Sequence, residues 1–353
     1  MEKEQIQQLL ETCRFDDSCE DARLIETHIS WVVLTDHFAY KFKRPVKYSF
    51  VDFSTRELRE HYCHLEVELN RRLAPDMYLG VVAVTADGVK EDADPGSEEV
   101  IGHAVKMKRM DNRRRMDRLL KLRSVHDEDI DKLAKMLAAF HENTRIVKNA
   151  FNTTAFHEKY SDILSVKDYT REYCGTGYLE RTRECVTQSY LFLNLNRNLM
   201  NHRVITDHQR DCHGDLNCTN IFLYDEPVIF DCIDFNKEYR VMDVLSEIAF
   251  LCVELDFHGY AQLGHDFYNT YMQAAGEEVN GQTGMLFNYY KSYRANVRAK
   301  VTAINAVSNK KEKQSAADVK SYLDLMNIYI GKLNLKPVKG RQIPGSIVSE
   351  ASG

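Results

Sequence analysis

The 353-residue sequence contains no apolar run approaching the ~18 residues that a membrane-spanning helix needs. It has no GxxxxGKS or GxxxxGKT pattern, so no P-loop ATPase domain is expected within these residues. Residues 1–17 are acidic and amphipathic, without the basic start and apolar centre of a signal peptide. No fixed-period repeat or low-complexity tract occurs. The nine cysteines are odd in number, scattered, and free of any Cys-x-x-Cys pair. They read as reduced thiols in a cytoplasmic protein rather than as a disulfide scaffold. Cys63 and His64 sit near His61 on a helix, but no second ligand pair at zinc-type spacing accompanies them. An excess of positive charge is also missing: 47 Lys and Arg stand against 53 Asp and Glu, a net charge of −6. That balance argues against a general nucleic-acid binder and leaves room for a cationic partner.

Core material is ample, with 44 % apolar and 10 % aromatic residues, enough for one large domain or two lobes. Between Leu24 and about Met110 the pattern is mostly period-2. Trp31–Leu34, Phe38–Lys43, Tyr78–Thr85 and Val100–Met107 read as strands. Asp87–Glu99 holds six acids with Pro95 and Gly96 and is expected to be a solvated hairpin loop. From about residue 111 the character is helical. Ile130, Leu133, Leu137 and Phe140 form a stripe, and further helices are expected around 155–200, 243–257, 262–275 and 283–307. A strand-rich insert, Val204–Asn236, interrupts them. The pattern predicts an α+β, bilobed protein. Its parts would be an N-terminal helix and extension over 1–19, a strand-rich lobe over 20–110, a mainly helical lobe over 111–335 and a flexible tail over 336–353.

One helix, over 55–73, lies among the strands. Ser54 with Glu57 fits a capping box, and Leu58, Tyr62, Leu65, Leu69 and Leu73 recur at helical spacing until Ala74-Pro75. At about 100° per residue, Glu66 lies about 60° from the centre of that stripe, and Glu57, Glu60 and Glu68 about 100° or more away. Glu66 is therefore the acid expected at the edge of the buried face, where a carboxylate needs a partner.

Residues 212–236 read CHGDLNCTNIFLYDEPVIFDCIDFN. Ile221–Leu223 and Val228–Phe230 flank the turn Tyr224-Asp225-Glu226-Pro227, a hairpin signal. A hairpin returns its ends to one place, so Asp215, Asn220 and one or both of Asp231 and Asp234 should converge. Carboxylates with an amide oxygen make a hard-oxygen set suited to Mg²⁺, and such a set beside a loop aspartate suits phosphoryl transfer.

His213-Gly214-Asp215-x4-Asn220 followed by Ile233-Asp234-Phe235 resembles the catalytic loop and metal motif of the aminoglycoside phosphotransferase and choline kinase group, which shares the bilobed protein-kinase-like fold. The chain is similar to one bacterial subfamily of that group, some of whose members are fused to a P-loop ATPase domain. Thr27–Val32, Ala39–Val46, Leu69–Pro75, Ala104–Met107 and Arg294–Val301 carry that likeness, over roughly residues 20–305.

The resemblance implies ATP and Mg²⁺ as cofactors and a small hydroxyl-bearing acceptor, with no membrane partner. Asp215 would be the catalytic base and His213 a brace of its loop. Asn220 and Asp234 would hold Mg²⁺, with Asp231 as the second candidate, since a two-residue turn at Asp225-Glu226 sets Asp231 opposite Asn220. Lys41 would contact phosphates and pair with Glu66; Lys43 shares its strand face. Met107, Lys108 and Met110 would form the interlobe hinge that meets adenine. No Gly-rich loop covers the phosphates, so Thr27 and Ser30 hydroxyls or nearby backbone N–H groups would have to serve. Many relatives have His at the place of Asn217. Asp243 and Glu247 repeat a spacing of the kinase group in which the first acid braces the catalytic loop, and both are expected to be structural. Glu247, Glu254 and Asp256 either line a pocket for a cationic acceptor or are solvated. Nine bases in Lys106–Arg123 read as a solvated face rather than an RNA strip. Two alternatives remain: a nucleotide-binding regulator without transfer, and a kinase with a protein or nucleic-acid acceptor.

Overall fold

The computed structural model describes residues 1–48, 51–90 and 99–335. Most of the acidic loop expected at Asp87–Glu99 and the whole tail 336–353 lie outside these residues. The N-terminal part is an antiparallel sheet ordered β1-β2-β3-β8-β6-β7. Its strands are β1 (Arg23–Glu26), β2 (Ser30–Leu34), β3 (Phe38–Lys43), β6 (Tyr78–Thr85), β7 (Gly88–Lys90) and β8 (Val100–Lys108), with β4 (Lys47–Tyr48) and β5 (Val51–Asp52) pairing apart. The edge strands β1 and β7 were not expected; they are short or polar and carry little alternation of their own.

Period-2 alternation sorts the sheet into two faces. Trp31, Val33, Tyr40, Phe42, Val82, Val84 and Ala104 pack against Ile6 and Leu9 of helix α1 (Lys3–Glu11) and against Phe15. Ala39, Val105 and Met107 pack on the opposite face against Cys63 and Val67 of helix α2 (Arg56–Asn70). The cap of α2 is one residue later than expected. Thr55 Oγ1 accepts the Leu58 N–H at 3.2 Å, while Ser54 Oγ turns back to Asp52. Thr55→Ala should therefore cost about 1 kcal/mol, read as a lower urea midpoint, and Ser54→Ala should cost less.

The expectation of nine reduced thiols is corrected at one pair. Cys13, with φ of 45°, turns the chain after α1, and a disulfide joins it to Cys19. The seven other cysteines are buried and free. No helix among the described residues is long and apolar enough to cross a membrane.

The C-terminal part is mainly helical: α3 (Met116–Lys121), α4 (Asp127–Asn143), α5 (Thr153–Ser161), α6 (Lys167–Tyr169), α7 (Thr176–Leu195) and α8 (Arg197–Ile205), then α9 (Val244–Phe257), α10 (Ala261–Ala274), α11 (Gly281–Ser308) and α12 (Glu312–Gly331). The single helical region expected over 155–200 is broken by a π turn at Thr170–Cys174 and by Gly175, whose φ of 108° favours glycine. Helix α9 is buried on every side from Val244 to Leu255, as its nearly continuous apolar sequence requires. Between α8 and α9 run β9 (Gln209–Asp211), β10 (Ile221–Phe222), β11 (Val228–Ile229) and β12 (Val241–Asp243), paired β9 with β12 and β10 with β11. The molecule is thus an α+β protein with an N-terminal antiparallel sheet and a mainly helical C-terminal part.

Candidate active site

Strand alternation decides which way the lysines point. With Tyr40 and Phe42 turned toward α1, Lys41 and Lys43 turn toward α2, where Glu66 receives both. Lys41 Nζ lies 2.7 Å from Glu66 Oε1, and Lys43 Nζ 2.5 Å from Glu66 Oε2. Glu66 is fully buried, not at the edge of its face. The face of α2 that meets the sheet is Cys63, Glu66, Val67 and Asn70, roughly a quarter turn from the leucine stripe. That stripe leads elsewhere: Leu73 joins the C-terminal core.

The second lobe closes the charge chain. Lys41 Nζ also lies 2.6 Å from Asp231 Oδ1, and Lys43 Nζ bonds Asp234 Oδ2. Asp231, Lys41, Glu66, Lys43 and Asp234 thus alternate in sign. Burial opposes the charge on each lysine, yet Asp231 and Glu66 hold Lys41, and Asp234 and Glu66 hold Lys43, above the ordinary lysine value. Burial likewise opposes Glu66, and the two ammonium groups bring its carboxyl below the usual range. Burial pushes the Asp234 carboxyl up, against the pull of the Lys43 ammonium bound to it. Both lysines and both later aspartates therefore belong to one cluster.

The hairpin brings the remaining candidates together, with one correction. Ile221 pairs with Ile229 and Phe222 with Val228, and Phe230 N donates to Asn220 O at 3.0 Å. Asn220 therefore faces Phe230, not Asp231. The connection is the five residues Leu223–Pro227 rather than a two-residue turn, in keeping with Pro227, which cannot donate to a ladder. Asp231 follows at φ of 62°, its N–H donating to Tyr78 Oη at 3.2 Å. Asn220 Nδ2 donates to Asp215 O at 3.1 Å and Asp215 Oδ2 at 2.9 Å. This turns Asn220 Oδ1 away from Asp215, whose Oδ1 has no hydrogen-bond partner among the described residues. Asn220 Oδ1 and the carboxylate oxygens of Asp234 and Asp231 that the lysines leave are hard donors, the type a divalent cation takes. Asn217 caps the turn instead, accepting from the Thr219 N–H at 2.9 Å.

His213 is a brace. Nε2 lies 2.9 Å from Phe230 O, and Nδ1 accepts the Asp215 N–H at 3.3 Å. Both acids expected to be structural are so, but the brace of this loop is the second of them. Glu247, not Asp243, accepts the N–H groups of His213 at 3.0 Å and Gly214 at 2.6 Å, and lies 2.8 Å from His141 Nε2. Asp243 caps α9 and forms a two-pronged pair with Arg203 at 2.8 Å. His141, Cys212 and Glu247 bring potential metal ligands within 4.8 Å of one another. His141 Nδ1 is already 2.7 Å from Tyr271 Oη, and both Glu247 oxygens are engaged, so the group is a loop support. Burial opposes ionisation of Glu247, but His141, His213 and the Gly214 N–H hold its carboxyl down at about 2. A depressed acid contributes stability above its unfolded value of 4.5 and loses it as pH falls through about 2. Between those values stability should fall by on the order of 3 kcal/mol from this group, read as a lower urea midpoint. In Glu247→Gln that part of the acid loss should vanish.

Sequence reasoning missed two residues that tie the lobes. Arg72 donates to the Asp211 and Cys212 carbonyls at 3.0 Å each, and Asn70 Oδ1 accepts the Cys232 N–H at 2.8 Å. Their signals were a polar run, Asn70-Arg71-Arg72, at the end of an otherwise amphipathic helix and its place in the Leu69–Pro75 segment.

Other candidates divide. Thr27 Oγ1 accepts the Ser30 N–H at 2.9 Å and lies 3.0 Å from Ser30 O, closing the turn between β1 and β2. Ser30 is buried and its Oγ has no partner among the described residues. Neither hydroxyl is offered to a ligand, whereas the N–H groups of His28 and Ile29 at the tip remain. His28 Nε2 reaches Asn305 Oδ1 of α11 at 2.9 Å, across the lobes. In the hinge, Met107 is buried in the sheet, and the Lys108 and Arg109 N–H groups bond Met77 O and His37 O. The backbone groups of Met110 have no hydrogen-bond partner among the described residues.

The three acids expected near an acceptor are neither a cationic pocket nor solvated. Glu247 supports the loop. Glu254 lies 2.8 Å from Arg298 and accepts Tyr322 Oη at 2.7 Å, and Asp256 lies 2.6 Å from Lys291 and accepts from Tyr329. The basic stretch is likewise paired in part: Lys106, Arg109, Arg113 and Arg115 meet Asp16, Asp21, Asp111 and Asp117.

No protein-family model matches the chain. Uncharacterized proteins of Mycobacterium bovis and Mycobacterium tuberculosis are each 32 % identical to it over 305 residues, covering 84 % of this chain. The chain spans 57 % of the length of these curated relatives. Among solved structures, choline kinase from Cryptosporidium parvum aligns with a TM-score of 0.54 at 11 % identity, over 93 % of this chain and 97 % of that one. A GDP complex of a mutant aminoglycoside 2'-phosphotransferase-IIIa aligns at 0.55 and 13 %, over 94 % and 98 %. Amicoumacin kinase in complex with AMP-PNP, Ca²⁺ and Ami aligns at 0.50 and 12 %, over 90 % and 93 %. The chain has the aminoglycoside phosphotransferase and choline kinase-like fold, a fold it shares with small-molecule kinases.

Proposed function

We propose that this chain is an ATP- and Mg²⁺-dependent phosphotransferase that moves the γ-phosphoryl group to a hydroxyl of a small molecule. The observation that carries this reading is the meeting of Lys41, Lys43 and Glu66 of one lobe with Asp231 and Asp234 of the other, at the end of the hairpin that opens on the bonded pair Asp215 and Asn220. Asn220 Nδ2 holds one oxygen of Asp215, so the other oxygen orients an acceptor hydroxyl and takes its proton as the hydroxyl oxygen bonds to the γ-phosphorus and the bond to the β,γ-bridging oxygen breaks, releasing ADP. His213 is a positioning residue, since both ring nitrogens are held by the backbone. Asn220, Asp234 and Asp231 would hold Mg²⁺, which when bound neutralises phosphate charge. Lys41 exchanges Asp231 for phosphate oxygens while Glu66 keeps its ammonium in place. The His28 and Ile29 N–H groups cover the phosphates in place of a Gly-rich loop, and Met110 offers backbone groups to the base. GDP and AMP-PNP in structures of the same fold support a nucleotide in this cleft.

The pairing of Glu254 and Asp256 removes the support for a cationic acceptor, so neutral and anionic hydroxyl compounds belong in the test beside aminoglycosides. The purified chain with Mg²⁺ and ATP should add a phosphoryl group to at least one member of such a panel, detected by mass spectrometry. ATP binding without transfer or hydrolysis on any acceptor would replace this reading with a nucleotide-binding regulator.

A further inference from the structure

One lysine on β3 suffices to meet a phosphate, yet the structure buries two against one glutamate. They are not equivalent. The Lys41 side chain is 15 % exposed and faces the cleft, whereas that of Lys43 is 1 % exposed. The Lys43 ammonium lies 5.2 Å from the centre of the Phe53 ring, with Glu66 and Asp234 as its hydrogen-bond partners. Its ammonium holds Asp234 Oδ2 and leaves the other oxygen of that carboxylate to a further partner.

We infer that Lys43 is a resident counter-cation for Asp234 that makes divalent-metal binding conditional on nucleotide. This rests on the reading of Asp234 as a metal ligand. Two ammonium groups against Glu66, Asp231 and Asp234 leave the cluster with a single negative charge. A divalent cation arriving alone meets Asp234 with one oxygen already held by Lys43 and Asp231 with one oxygen held by Lys41, and it is repelled by both ammonium groups. A triphosphate changes that balance. It draws the exposed Lys41 from Asp231 and brings enough negative charge to offset a metal beside Lys43. Lys43 does not follow, because Phe53 and Glu66 enclose it. It fixes the Asp234 rotamer throughout and keeps the site from taking up free metal.

Mn²⁺ titration read by electron paramagnetic resonance tests this directly. The wild-type chain should bind Mn²⁺ weakly alone and tightly with a non-hydrolysable ATP analogue. Lys43→Met should tighten nucleotide-free binding by at least about tenfold, since a like charge a few ångströms from the metal is gone. Lys43→Arg should behave as wild type, and Asp234→Asn in the Lys43→Met background should abolish the tightened site. If Lys43→Met does not fold, Lys43→Gln, which keeps a hydrogen bond to Glu66, carries the same expectation. Tight nucleotide-free binding by the wild type, or no tightening in either neutral variant, overturns the inference. Failure of the wild type to bind nucleotide at all would sink the phosphotransferase reading instead, a separate outcome.

Discussion

Asp215→Asn is expected to lower phosphoryl transfer by roughly 10²–10⁴-fold while leaving nucleotide affinity within about twofold. The amide oxygen still accepts Asn220 Nδ2, so the loop keeps its shape, but the open position can no longer take a proton. Asp215 is only half buried and its support comes through the backbone of His213 and Gly214, so the exchange should leave the fold intact. The loss should fall on kcat rather than KM for ATP, because Asp215 belongs to the acceptor side of the site. Steady-state kinetics on an acceptor found by the panel, beside calorimetric titration of the ATP analogue, checks both halves. Turnover that survives the exchange would remove Asp215 as the base and leave the cleft without a group placed to deprotonate a hydroxyl.

The parts of this site that were legible in the sequence are those set by short-range periodicity. Alternation along β3 puts Lys41 and Lys43 on one face. A hairpin signal at Tyr224–Pro227 brings Asn220 back toward Asp231 and Asp234. What resisted reading is set by packing between elements. The apolar stripe of α2 led to Glu66 but implied the wrong centre for the buried face, because Leu73 serves the other lobe and the sheet instead meets Cys63, Glu66, Val67 and Asn70. The hairpin register missed by one because a five-residue connection replaces a two-residue turn. A rank order between Lys41 and Lys43, or between Asp231 and Asp234, had no physical basis in the sequence, since all four join one chain of ion pairs through Glu66. Helix α12 is a different failure: Ala316, Val319, Leu323, Met326 and Ile330 are all buried and recur at helical spacing, so the signal was present. The disulfide between Cys13 and Cys19 had no such signal, because the turn that joins them depends on a left-handed residue after α1.

Glu247→Ala is expected to destabilise the chain by about 3–5 kcal/mol, the range for removing one partner of a buried charge-assisted network. Glu247 is 1 % exposed, and its two oxygens serve two backbone N–H groups and an imidazole. Truncation leaves all three donors without an acceptor in a dry interior, where each costs more than its hydrogen bond contributed. The loop has little room to find new partners. Gly214 sits at φ of 93°, and a Cβ there would approach Arg240 Cβ and Tyr239 O at 3.1 Å, so the backbone is already held close on that side. Activity should fall further than stability alone requires. The peptide groups that Glu247 holds carry Asp215, and a displacement of about 1 Å at that carboxylate can cost on the order of 10²-fold in rate. Glu247→Gln separates the two effects: it keeps the volume but offers one acceptor where two N–H groups need them, so its loss of stability should be smaller while transfer still falls. Urea midpoints at neutral pH, set beside transfer rates at a temperature where both variants are folded, decide the point. Equal loss of stability in the two variants with no extra loss of rate would reduce Glu247 to a core residue and leave the position of Asp215 to His213 alone.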